Sequence, residues 1–166
     1  MKSLTALAAL GATLLAGCAV FEPATPPDYT GPTANVADQA VPVSAQLLHI
    51  FEITHVDGRK LSSTSMATVG PGQGRGPATQ PIALTNELPL RPARLQLQAA
   101  TQYAAPIQAM RSPTCRVQGE VDFTPEAGKA YRVAGRVDAE ACEAWIEDLA
   151  THQAVTAKVS GKGTGR

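Results

Sequence analysis

Length, composition and charge exclude several classes of protein. The chain has 166 residues, which is typical of a single domain, and its 14 Lys and Arg balance 14 Asp and Glu. This balance provides no electrostatic attraction to nucleic acid, and aromatic residues, which could stack on bases, are only 4% of the chain. Its 13 Pro and 14 Gly argue against a helical bundle. We therefore expect one non-helical domain with no nucleic acid partner.

The N-terminus has the pattern of a secretion signal. Lys2 supplies a positive charge, and residues 4–15 form an apolar stretch that is too short to span a bilayer as a mature helix. Small residues then precede a cysteine, in the run Leu15-Ala16-Gly17-Cys18. That run resembles the lipobox of bacterial lipoproteins.

The lipobox resemblance implies a lipid anchor. In such lipoproteins the signal, here residues 1–17, is removed, the cysteine thiol receives a diacylglyceryl group, and the new amine is acylated, for example with palmitate. Cys18 would then be the lipidated first residue, and several acyl chains give stable anchoring. Ala19 stands where an Asp would favour retention in the inner membrane. The resemblance therefore implies the periplasmic face of the outer membrane, in a Gram-negative cell.

A proline-rich linker is predicted after Cys18, extending to Pro42. It contains five Pro and few large aliphatic residues, so it cannot bury enough apolar surface to offset the entropy of ordering. As a coil it would span on the order of 25 Å. We expect this tether to lift one folded domain, residues 43–159, off the membrane, and residues 160–166 to form a flexible tail.

The folded region is predicted to be all-β, a small antiparallel β-sandwich of the immunoglobulin-like or transthyretin-like kind. Apolar runs, several of them alternating with polar residues, indicate strands at 47–56, 65–69, 94–98, 116–123, 131–137 and 155–159. The turn pair Asp57-Gly58 ends the first of them, and a loop rich in Gly and Pro follows the second. Short strands at close spacing with turns between them are typical of sandwiches.

Residues 138–153 are open to two interpretations. Ala141, Trp145 and Leu149 recur at helical spacing, and Asp138 is a suitable N-cap, so the pattern alone predicts a short helix. The alternative is a strand followed by a turn, because tertiary context can override local propensity.

A second resemblance favours the strand. In residues 123–133 a strand end is followed by Pro-Glu-x-Gly and then by Tyr131 at the start of a new strand. Together with residues 142–155, this looks like a motif of small secreted sandwich proteins and resembles uncharacterised bacterial lipoproteins with a PEGA-like or transthyretin-like domain. The resemblance implies a strand at 142–147 and a turn at 148–153, although His152 stands where Gly is common. We therefore expect a strand there.

Four further residues have structural predictions. Tyr131 is expected to point inward with its hydroxyl bonded to nearby backbone, as in a tyrosine corner. Trp145 is expected in the core or as half-buried cover. With Cys18 lipidated, Cys115 and Cys142 remain as an even pair in an oxidising compartment, which predicts a disulfide between them; two inert buried thiols are the alternative.

The search for catalytic chemistry is largely negative. His49 and His55 would lie roughly 20 Å apart on a straight strand, and no metal-binding or nucleophile motif is present, so we expect no metal, no cofactor and no catalytic residue. The three His are interpreted as surface or half-buried groups, and the carboxylates at 140, 143, 147 and 148 as a solvated acidic face. The Gly-rich loop lacks the Lys-Ser/Thr of a phosphate loop. It is a candidate binding loop through Gly70, Gly72, Gly74, Arg75 and Gly76.

Two functional classes remain. The first is a non-enzymatic binding or scaffolding module, held at the outer membrane and serving an envelope protein partner; the lipidated sandwich of type VI secretion is an analogy only. The alternative is a small-ligand-binding or inhibitor-type lipoprotein, similar to lysozyme inhibitors. Residues 103–107, an apolar connection, are predicted to cap the sandwich or to offer an edge to a partner strand.

Overall fold

The predicted sandwich is confirmed by the structure of the protein, a computed structural model that describes residues 21–69, 81–138 and 141–163. Two sheets of mainly antiparallel strands pack face to face, with two short helices beside them. The strands are β1 (Thr33–Ala37), β2 (Gln39–Ser44), β3 (Leu47–Val56), β4 (Arg59–Lys60), β5 (Thr85–Pro89), β6 (Ala93–Tyr103), β7 (Arg116–Phe123), β8 (Tyr131–Val137), β9 (Ala141–Asp148) and β10 (Val159–Lys162). The helices are α1 (Thr64–Val69) and α2 (Pro106–Ala109).

Each sheet contains five strands. Sheet A has the order β10-β9-β8-β1-β5, and sheet B has the order β2-β3-β6-β7, with β4 paired to the end of β3. The pairings are antiparallel except that of β1 with β8, which is parallel. The chain passes from sheet A to sheet B between β1 and β2, so that the first two strands link the layers.

The core lies between the inner faces of the two sheets. Alternate residues of each strand point inward, since the side-chain period of a strand is two. The largest fully buried apolar side chains of this core include Ile53, Leu88, Leu95, Leu97, Val133 and Ile146. The alternate residues of β3 and β6 that do not point into the core face outward. This outer face of sheet B holds the candidate site described below.

Two glycines allow the edge strands β7 and β10 to approach each other. A Cβ atom at Gly119 would lie 2.6 Å from Val159 Cγ1, and one at Gly161 would lie 2.8 Å from Val117 Cβ. These separations are shorter than van der Waals contact allows. Glycine at both positions thus closes one side of the sandwich, where sheet B meets sheet A.

The disputed segment 138–153 contains strand β9, as expected from the resemblance. β9 pairs with β8 from Tyr131–Asp148 to Val137–Cys142, and Cys142, Ala144 and Ile146 are fully buried. The helical spacing was misleading because the buried residues of this segment alternate along a strand, whereas Ala141 and Trp145 lie on the opposite, less buried face of β9. The turn that follows places His152 at φ 55°, the left-handed region in which glycine is easier to accommodate.

The predicted disulfide is confirmed. The Sγ atoms of Cys115 and Cys142 are 1.99 Å apart, with 6.0 Å between the Cα atoms. Cys115 immediately precedes β7 in sheet B, and Cys142 lies in β9 of sheet A. The bond therefore crosses the core and joins the two layers.

Tyr131 and Trp145 have the predicted structural environments. Tyr131 is 2% exposed, and its hydroxyl accepts a hydrogen bond of 3.0 Å from the amide of Glu126, upstream in the chain, while its ring packs edge-on against Phe123. Gly128, in the turn between them, has φ 77°, which explains the glycine of the motif. Trp145 is half-buried on the outer face of sheet A, and the Lys158 ammonium lies 4.4 Å from the ring centroid.

The predicted linker is wrong over most of its length. β1 and β2 fall within it, and the segment before them is docked on the domain: Glu22 N–H donates to Lys60 O, and the Arg59 guanidinium donates to Pro23 O and Ala24 O. The composition of this segment predicted disorder, but a side chain distant in sequence binds its carbonyl groups and holds it on the domain. The folded domain therefore begins well before residue 43.

Two smaller expectations are also corrected. Residues 65–69 belong to helix α1 instead of a strand, because buried side chains of sheet B hold its first turn. The last strand begins at Val159, later than predicted, and extends into the expected tail as far as Lys162. Residues 103–107 end β6 and begin α2. Within the described ranges, no helix is both long and apolar enough to cross a bilayer.

Candidate functional site

The outer face of sheet B forms an open groove between α1 and α2. We call it the sheet B groove; its volume is about 760 Å³. Leu61, Met66 and Ala109 provide apolar contacts along it. Most of its polar side chains come from β3, β4, α1, β6 and β7, and they include Glu52, Lys60, Ser65, Gln98, Gln102, Arg116 and Gln118.

A chain of hydrogen bonds crosses the floor of the groove. Glu52 is fully buried, and its Oε1 accepts bonds from Ser65 Oγ at 2.6 Å and from Gln98 Nε2 at 2.7 Å. Gln98 Oε1 in turn accepts a bond of 2.6 Å from Gln118 Nε2 and a longer one from Arg116. The network therefore joins α1, β3, β6 and β7. A buried polar network that is fully bonded fixes the arrangement of its members.

Asp38, between β1 and β2, is the second buried carboxylate near α1. Its Oδ2 accepts a bond of 2.7 Å from Thr64 Oγ1, and its Oδ1 accepts one of 3.0 Å from the Ile53 amide. Burial raises the pKa of Asp38 to about 7, against the opposing effect of the hydrogen bonds from Thr64 and Ile53. The negative charge of Glu52 acts in the same direction as burial.

The two carboxylates have a structural role at the start of α1. Glu52 Oε2 accepts the backbone N–H of Ser65, and Asp38 binds the hydroxyl of Thr64. A short helix has unsatisfied N–H groups in its first turn, and acceptor side chains stabilise that turn. The Ser65 hydroxyl donates to a carboxylate whose other oxygen is also occupied. This geometry fixes α1 to sheet B, and the role of Asp38 and Glu52 is therefore structural.

Gln102 is the exception in the groove. Its side-chain nitrogen is buried, yet it has no hydrogen-bond partner among the described residues. An unpaired buried donor costs free energy and calls for a water or a ligand. Lys60 and Arg116 add two cationic donors, and neither forms an ion pair with a carboxylate in the described ranges. The groove therefore offers donors to a ligand that supplies acceptors.

A second concavity, of about 840 Å³, lies at the end of sheet B near the β3–β4 turn. Charged side chains at this concavity form ion pairs with one another: Arg94 Nε lies 3.4 Å from Asp122 Oδ1 and 3.9 Å from Glu120 Oε2. These side chains are mostly exposed to solvent, so the pairing is weak. The sheet B groove, with its buried unpaired donor, is the better candidate.

The residues singled out from the sequence do not assemble into one site. Glu143 pairs with Lys158, and Glu147 pairs with Arg132 beside His152, on the outer face of sheet A. The expected solvated acidic face is wrong for Glu147 and Asp148, which are buried. No group of three potential ligands for a metal ion occurs in the described part of the chain. His49 and His55 lie on β3, as predicted.

Some predicted site residues lie outside the described residues. They are the anchor Cys18, the carboxylate Glu140 and the loop residues Gly70, Gly72, Gly74, Arg75 and Gly76. The groove itself was missed by sequence reasoning. One signal was available, because Glu52 is the only acidic residue in the otherwise largely apolar run of β3.

The fold and site together define a disulfide-bonded β-sandwich with a polar groove on the outer face of one sheet. Comparison with known proteins finds no matching family model, no matching curated protein and no matching solved structure.

Proposed function

We propose that this protein is a lipoprotein anchored through Cys18 at the periplasmic face of the outer membrane, and that its sandwich is a non-enzymatic binding or scaffolding module. The observation on which the anchor rests is the run of Leu, two small residues and Cys at 15–18. The disulfide supports it, because such bonds persist in oxidising compartments outside the cytoplasm.

The binding role is supported by the sheet B groove. The unpaired amide nitrogen of Gln102 and the cationic side chains of Lys60 and Arg116 provide donors around an apolar wall. A partner with carbonyl or carboxylate acceptors, such as an extended segment of an envelope protein, has the matching chemistry. Glu52 and Ser65 hold α1 in place, so they support binding by shaping the groove.

The anchor is tested by replacing the acylated cysteine. In Cys18→Ala, palmitate incorporation and membrane fractionation of the protein are expected to be lost, since no thiol remains for the diacylglyceryl group. The matched control is the double variant Cys115→Ala/Cys142→Ala, which keeps Cys18 and is expected to incorporate palmitate as the wild type does. Equal labelling of wild type and Cys18→Ala would contradict the proposal.

The binding role is tested in cells with a photo-crosslinking residue. Placed at Gln102, it is expected to give a discrete adduct with an envelope protein, and this adduct is expected to diminish in Arg116→Ala. The same residue placed at Leu149, which is 38% exposed in the turn after β9, is the control and is expected to give no such adduct. The same adduct from both positions, or none from Gln102, would speak against the groove as the binding site.

A further inference from the structure

The segment that follows the proposed anchor is fixed to the domain. Arg59 Nη1 and Nη2 donate to Pro23 O and Ala24 O at 2.6 and 2.8 Å, and Ala24 is buried. Thr25 Oγ1 donates to Glu87 O at 2.6 Å, which ties the segment to β5 of sheet A as well. Phe21 is therefore held in place relative to both sheets.

The length of chain before Phe21 limits its distance from the lipid. Only Ala19 and Val20 separate Cys18 from Phe21. Three Cα steps span at most about 11 Å when fully extended. The headgroup layer of a bilayer is itself about 5–8 Å thick on each side. A lipid on Cys18 thus keeps Phe21 within the headgroup layer or within a few ångströms of it.

The surface around Phe21 suits such a position. Phe21 is 36% exposed, and the Lys60 ammonium lies 5.2 Å from its ring centroid. Ser62 is exposed in the same neighbourhood and lines a shallow concavity together with Phe21. An apolar ring beside a long cationic side chain is typical of groups at a membrane interface.

We propose that the patch formed by Phe21, Lys60 and Ser62 rests against the phospholipid headgroups of the membrane that holds the lipid. This inference rests on the proposed lipidation of Cys18. It replaces the picture of a domain on a long tether with one that is held directly on the bilayer in a defined orientation. The end of β3 that begins at Leu47 then faces away from the membrane.

The test compares two exposed serines at opposite ends of β3. Ser62 follows Leu61, whose amide bonds to Thr54 O, whereas Ser44 pairs with Leu47, about 23 Å away along the strand. Each is replaced by Cys and given a nitroxide label in the mature lipidated chain. The protein is reconstituted in vesicles of phosphatidylethanolamine and phosphatidylglycerol, and collision with a water-soluble nickel chelate is measured.

The label in Ser62→Cys is expected to lose collision rate several-fold on vesicles relative to the same labelled domain without the lipid in buffer, and the label in Ser44→Cys is expected to be unchanged. A Gly-Ser insertion between Val20 and Phe21 is expected to restore access at Ser62, since it lengthens the short connection. Equal access at both serines on vesicles would overturn the inference. Shielding of Ser62 that is equally strong in the domain without the lipid in buffer would also overturn it, because contacts other than the membrane would then cover the patch.

Hydrogen exchange of the wild-type protein gives a second measurement that needs no variant. Slower exchange of residues 57–62 on vesicles is expected, and unchanged exchange there would reject the contact. The mass of the mature chain and its flotation with vesicles are recorded in the same samples. An unmodified Cys18 would reject the proposed anchor, whereas a lipidated, floating protein with an accessible Ser62 would reject only the membrane contact.

Discussion

Replacement of Cys115 and Cys142 together by Ala is expected to lower the free energy of unfolding by about 3.5 kcal/mol, because the bond closes a loop between residues 27 apart in sequence. The chain-entropy treatment assigns the loss to the denatured state, which gains freedom when the loop opens. A small domain has about 5–15 kcal/mol in total, so the loss is a large share. Urea denaturation of the mature protein in detergent measures it.

The location of the bond makes the experiment informative. It joins the two sheets across the core, and Cys142 is fully buried, so the Ala pair also leaves a small packing defect where the sulfur atoms were. Reduction of the wild-type protein with a thiol reagent is the control and should give nearly the same loss without a substitution. A loss below about 1 kcal/mol in both samples would show that the denatured chain already holds these segments together.

The strands were predictable where their pattern was local. Val117, Val121 and Phe123 alternate with polar residues, and this parity specifies which face of β7 is buried. The pairing of the two cysteines followed from their number, given lipidation of Cys18. The motif around Tyr131 placed the β7–β8 turn correctly because Gly128 adopts the positive φ that such a turn requires.

Features fixed by distant contacts were not predictable in this way. The docked N-terminal segment depends on Arg59, more than thirty residues later in the chain, which binds two of its carbonyl groups. Helix α1 depends on Asp38, between β1 and β2, and on Glu52 of β3. These carboxylates accept hydrogen bonds from Thr64 and Ser65 at the start of the helix. Neither contact leaves a pattern in the local sequence. The sheet B groove was missed for the same reason, since its polar side chains converge from four strands and helix α1.

Asp38 gives the second prediction with a large expected effect, a stability that falls as pH rises. Burial raises the pKa of this carboxyl from 3.8 to about 7. Between these two values the folded state keeps a proton that the unfolded state has lost. The stabilisation is therefore fully present below the unfolded pKa and is lost as pH rises through the folded pKa, a change of about 4 kcal/mol.

The matched variant is Asp38→Asn, which has nearly the same shape and stays neutral at every pH. Its amide oxygen can still accept the Ile53 N–H, and Thr64 can reorient to accept from its amide nitrogen, so the fold is expected to persist. The unfolding free energy of Asp38→Asn minus that of the wild type is expected to increase by about 4 kcal/mol from about pH 4 to about pH 8, because only the wild type loses stability as Asp38 ionises. Urea titrations across this range measure the difference.

Taking the difference between the two proteins isolates Asp38 from the other titrating groups. Burial lowers the pKa of His49, so that group removes stability as pH falls and acts in the opposite direction. Burial also tends to raise the pKa of Glu147, but the hydrogen bonds from Arg132 and His152 outweigh it and leave the pKa lowered. Both groups are present in both proteins and cancel. Parallel stability curves would mean that Asp38 stays ionised in the fold, and the bond from Thr64 would then be one to a carboxylate throughout.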